Sequence, residues 1–140
     1  MFERCVVLGL LLALSVGCRA ALMPGDPDRI AQAWEFNGAD AEGWKVTNNL
    51  TDLAVAEGVL TTQATGPDSN MAVSDLALPC GELTHLLLRM KSDAPGSTQV
   101  YFATSASGDP AQNEVPAFGM RPDNEWHEYE VALAGLKGFH

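Results

Sequence analysis

Basic residues are scarce: eight lysines and arginines face eighteen aspartates and glutamates in 140 residues, a net charge of −10. Binding to a phosphate backbone rests on lysine and arginine contacts, so this balance argues against nucleic acid and leaves cations and neutral polar ligands. Cysteine is scarce too, with three in the chain, too few and too far apart for a disulfide framework or a cysteine-pair metal site. Signatures of catalysis are missing as well. There is no Gly-x-Ser-x-Gly elbow, no His-Glu-x-x-His and no glycine-rich phosphate cradle after a strand. His127 and Glu128 are neighbours on a predicted strand and point to opposite faces, so they form no dyad. The sequence therefore reads as that of a protein without enzymatic activity. The charge-free run from Cys5 to Val16 is too short for a permanent bilayer helix.

That run has another use. Arg4 stands ahead of it and small residues follow around Gly17, the build of a secretory signal over residues 1–17. Two cuts compete. Signal peptidase would accept "CRA" before Ala21 or "RAA" before Leu22, whereas "LSVGC" resembles a bacterial lipobox whose cysteine, Cys18, would take a diacylglycerol. An uncleaved anchor is the third reading. The first two imply export, to the cell envelope through a lipid anchor or to the periplasm or medium. Loss of residues 1–17 removes one acid, Glu3, and one base, Arg4, and leaves the charge at −10. Cys80 is then the one cysteine inside the domain, a small hydrophobe at a strand entry or, if Cys18 is not lipidated, its disulfide partner. The sequon "NLT" at Asn49 has a mechanism in a eukaryotic secretory route, against which the lipobox argues.

At 46% apolar and 19% charged residues, the chain has the composition of one globular domain. Residues 18–33 read as a tether, with two prolines and a glycine in "MPGDP". From residue 34 to 140 the apolar period is two, with turn residues at short intervals, which predicts an antiparallel all-β sandwich of about eight strands. The predicted strands are "AWEFN", "WKVTN", a hairpin "DLAVAEGVLTTQAT" turning at Glu57-Gly58, "MAVSDLAL", "LTHLLLRMKS", "TQVYFATS", "AFGM" and "WHEYEVAL". Alternation predicts a core of Leu60, Leu86, Leu88, Met90, Val100, Phe102, Tyr129, Val131 and Leu133, with Trp34 and Trp44 as core aromatics at one end.

The order of "WEF…EGW", "AEGVLTTQATGPDSNM", "LLLRMKS", "QVYFATS" and "EWHEYEVALAGLKG" resembles the galactose-binding-like β-jelly rolls of exported bacterial proteins, close to carbohydrate-binding modules. The likeness runs over nearly all of residues 34–138. It implies a jelly-roll sandwich and a non-catalytic module holding a glycan, with an attached or partner enzyme domain. It also implies a structural calcium near the first strand, for which Glu35, Asn37 and Asp40 would supply oxygens. In such domains further strands follow the "VALAGLKG" strand and close the sandwich. The expectation is thus of a domain that is incomplete at its carboxyl end, with an open sheet edge.

Glycan recognition needs an aromatic face for the apolar side of a sugar ring and a few polar groups for its hydroxyls. Arg89 and Lys91 share one face of a strand, Gln99 and Tyr101 share a face of the next, and Trp126 opens a third. Coincident faces would bring Arg89 and Tyr101 within reach of each other. The competing reading is a structural or protein-interaction sandwich of a cell-envelope lipoprotein, with Arg89 solvated, Tyr101 a packing partner and Trp126 a core plug.

Overall fold

The computed structural model describes residues 14–15, 30–106 and 109–139. Cys18, most of the signal and most of the tether lie outside these residues. The described chain is strand and turn with almost no helix, as the period of two predicts. Nine short strands are present among the described residues: β1 Leu14–Ser15, β2 Lys45–Asn48, β3 Ala54–Ala56, β4 Val59–Thr61, β5 Asn70–Ala72, β6 His85–Met90, β7 Gly96–Gln99, β8 Ala117–Met120 and β9 His127–Ala132. All pairings are antiparallel: β1-β6-β9, β2-β5, β3-β4 and β7-β8. β1 comes from the segment read as a signal and lies along β6, with Leu14 opposite Leu86 and Ser15 opposite His85.

The β3-β4 hairpin turns where the sequence places it. Ala56 faces Val59, so Glu57 and Gly58 form a two-residue turn, and both take the positive φ (52° and 74°) that matches strand twist. On the long pair the register is Leu86 to Val131, Leu88 to Tyr129 and Met90 to His127. The inward row of β6 and β9 is therefore Leu86, Leu88, Met90, His127, Tyr129 and Val131, as alternation requires.

Buried together in the core are Trp34, Phe36, Leu60, Leu83, Leu86, Met90, Val131 and Leu133, with Trp44, Leu88, Val100, Phe118 and Tyr129 packed against them. Trp34 and Trp44 meet edge to face, 5.5 Å between centroids. Phe102 leaves the predicted core row and instead meets Phe139 edge to face at 5.0 Å.

Three predicted strands are cut short or absent, each for a backbone reason. "AWEFN" is not a strand, because Phe36 adopts a φ of 51° and turns the chain so that its ring enters the core. "MAVSDLAL" ends at Ala72, and Asp75 at φ 61° breaks the extended run. "TQVYFATS" ends at Gln99, although Val100 still donates to Pro116 O at 3.0 Å. Beyond β9 the chain makes two turns, with Leu136 N donating to Leu133 O (3.2 Å) and Phe139 N to Leu136 O (3.1 Å). The second turn is pinned where Glu114 N donates to Lys137 O at 3.0 Å.

Candidate functional site

The register of β6 and β9 determines what faces outward on this sheet. Arg89 lies opposite Glu128 and Leu87 opposite Glu130, and one step beyond the paired residues Lys91 comes opposite Trp126. An extra ladder bond holds that step in place: Asn124 N donates to Ser92 O at 2.9 Å. Ser92 is itself buried, and its hydroxyl both donates to Ala94 O and accepts from Ala94 N at 3.1 Å. Lys91 thus lies one residue, and Trp126 two, from this backbone bond.

Two cations gather on the Trp126 ring. The Arg89 guanidinium carbon lies 5.2 Å from the ring centroid and the Lys91 ammonium 5.5 Å. Each attraction is worth about 0.5–1 kcal/mol at an exposed site and steadies a flexible side chain against the ring. Neither cation has a carboxylate within ion-pairing distance among the described residues, although Glu128 faces Arg89 across the strands. The neighbouring Glu130 is engaged by His85, 3.2 Å from Nε2, whose Nδ1 contacts Thr84 Oγ1 at 3.0 Å.

The other predicted binding residues lie on a different hairpin. Tyr101 is 58% exposed and its hydroxyl donates to Gln99 Oε1 at 3.2 Å. The β7-β8 and β6-β9 pairs meet through their inner faces, where Phe118 lies 4.8 Å from Tyr129 and the Tyr129 hydroxyl accepts from Arg121 N at 3.1 Å. The structure brings Arg89, Lys91 and Trp126 together, and Gln99 and Tyr101 contact each other.

Glu35, Asn37 and Asp40 share one loop, but N–H groups occupy their carboxylates. Asn37 Nδ2 donates to Glu35 Oε2 (2.8 Å), Glu42 N to Asp40 Oδ1 (2.8 Å) and Glu35 N to Glu42 Oε2 (3.1 Å). Among the described residues no group of three or more His, Cys, Asp or Glu side chains is placed to hold a metal. Cys80 carries a half-buried free thiol on the short helical turn Cys80–Glu82. Asn49, the sequon residue, donates its amide to Pro67 O and accepts Thr65 N on its carbonyl.

One constellation escaped the sequence reading. His127 Nε2 lies 2.9 Å from both carboxylate oxygens of Asp123, and its Nδ1 faces Arg121 Nη1 at 3.5 Å. The signal for it was present in "DNEWH", an aspartate whose side chain closes a turn on the amide two residues on and reaches the histidine after four. The Glu125 N–H first, and His127 second, hold the Asp123 carboxyl below its ordinary value. A carboxylate favoured by the fold adds stability above its unfolded pKa, and that stability is lost as pH falls through the lowered folded value. Asp123→Asn should therefore melt below wild type at neutral pH, with the gap closing below about pH 4 in thermal unfolding followed across pH.

No family model, curated protein or solved structure matches this chain.

Proposed function

We propose that this chain is a non-catalytic carbohydrate-binding module of jelly-roll type on an exported protein, and that Trp126, Arg89 and Lys91 form its sugar platform. The observation that carries this reading is the pair of unpaired cations steadied over one tryptophan on the outward face of β6 and β9. A half-buried indole offers an apolar plate for the C–H face of a pyranose, and the guanidinium and ammonium donate to its oxygens. Gln99 and Tyr101 form a second, smaller polar surface on β7-β8 that would serve a longer glycan.

A glycan array probed with the purified protein tests the reading. Trp126→Ala should weaken binding by about 2 kcal/mol, roughly thirtyfold, as truncation of a central aromatic anchor does. Tyr101→Ala should cost less. Binding unchanged in Trp126→Ala would move the site elsewhere, and no glycan bound by wild type would favour the structural or protein-interaction reading.

Export with a lipid on Cys18 belongs to the same proposal, supported by the charge-free run that ends in "VGC". In a bacterial host, metabolic labelling with palmitate should mark the wild-type chain and not Cys18→Ser. Label retained in that variant would defeat the lipid anchor.

A further inference from the structure

We infer that the Trp126 platform selects anionic saccharides, carboxylated or sulfated, over neutral ones. The inference rests on the carbohydrate reading above and adds the ligand's charge. Arg89 and Lys91 converge on one ring, 5.2 and 5.5 Å from its centroid, with no ion pair among the described residues. Two like charges drawn to one spot repel each other, and a bound anion converts that repulsion into two attractions.

The nearby acids do not quench the pair. Glu130 is engaged by His85, and Glu128, opposite Arg89, leaves the guanidinium to the indole and stays available for sugar hydroxyls. A ligand brought to Trp126 would meet the positive charge that stands over its ring, where a uronate carboxylate or a sulfate ester could take both cations. Arginine meets either group with two parallel N–H donors, and lysine adds a point charge. The net charge of −10 repels long polyanions, but screening over about 8 Å at physiological salt confines the repulsion and admits a short acidic oligosaccharide.

The test uses the purified protein and matched oligosaccharides in calorimetric titration. The pairs are oligogalacturonate against β-galacto-oligosaccharide and oligoglucuronate against cello-oligosaccharide, with a sulfated galactan fragment to separate sulfate from carboxylate. At low salt an acidic ligand should bind about tenfold tighter than its neutral partner, the sum of two partly exposed charge-assisted contacts. The advantage should shrink as NaCl is raised. The double variant Arg89→Gln with Lys91→Gln should abolish the preference, weakening acidic ligands about tenfold more than neutral ones, which lose only uncharged contacts with the platform. Both changed residues project outward, so an unchanged melting temperature serves as the folding control. Neutral ligands binding as tightly as acidic ones, or a preference that survives the double variant, would overturn the inference and leave the carbohydrate reading standing. Failure of every saccharide to bind would end both.

Discussion

Phe36→Ala is expected to destabilise the protein by about 3–5 kcal/mol, the usual cost of emptying a large aromatic site in a core. Phe36 is 0% exposed, although it lies between the exposed Glu35 and Asn37 on a stretch without regular structure. Its φ of 51° places a bulky residue in the left-handed region, at a cost of about 1–2 kcal/mol. Burying the ring returns roughly 1.5–3 kcal/mol, which is why the conformation holds. Alanine removes the ring and keeps the backbone cost. Glycine removes the ring and relieves that cost, so Phe36→Gly should be no less stable than Phe36→Ala, the reverse of the usual order of these two residues. A domain of this size has about 5–15 kcal/mol in all, and each kcal/mol moves the midpoint by roughly 4–8 °C. Thermal and denaturant unfolding of the two variants check the claim. Alanine more stable than glycine by about 1 kcal/mol would contradict the turned backbone.

Gly138→Ala is expected to be the other severe change. A β-carbon at this position would lie 2.0 Å from Asn113 Oδ1 and 2.7 Å from its Cγ, and φ is +88°. Asn113 has little room to retreat, since it is buried and its amide donates to Phe102 O at 2.8 Å. The left-handed backbone costs about 1–2 kcal/mol and a broken buried hydrogen bond about 1–3 kcal/mol, roughly 2–5 kcal/mol together. Gly135→Ala isolates the first part, because φ there is +85° and nothing lies within 4 Å of the added carbon. Hydrogen exchange at the Glu114 amide, which donates to Lys137 O, should rise in Gly138→Ala and not in Gly135→Ala. Equal effects of the two changes would mean that the Asn113 contact carries no weight.

The sequence made the paired strands legible and left the joints between them obscure. Leu86, Leu88 and Met90 face in while Arg89 and Lys91 face out, because a period of two has one register that hides the leucines. The Glu57-Gly58 turn and the meeting of Trp34 with Trp44 were legible for similarly local reasons. The same alternation cannot tell which hairpins share a face. The meeting of Phe118 on β8 with Tyr129 on β9 is one such contact between hairpins that alternation within a strand does not show. Leu83 reaches the core from outside a regular strand and with the parity opposite to Leu86, so periodicity gives no sign of it, whereas Phe36 alternates with Trp34 but enters through a turned backbone and not a strand. Phe102 pairs with Phe139, a contact made by the turns after β9 and by no strand.

The saccharide platform is the central claim, and the three indole N–H signals of the protein test it most directly. Trp34 is buried at 3% exposure and packs on Trp44, whose Nε1 has no hydrogen-bond partner among the described residues, so both report on the core. Trp126 alone stands on the outward face with Arg89 and Lys91. A ¹⁵N correlation spectrum recorded during titration with the oligosaccharide ligands, and assigned with Trp126→Phe, should show the Trp126 indole signal moving in step with the Arg89 side-chain N–H signal while the Trp34 and Trp44 signals stay in place. A saccharide that binds and leaves the Trp126 signal where it was, or that shifts Gln99 and Tyr101 alone, would contradict the account.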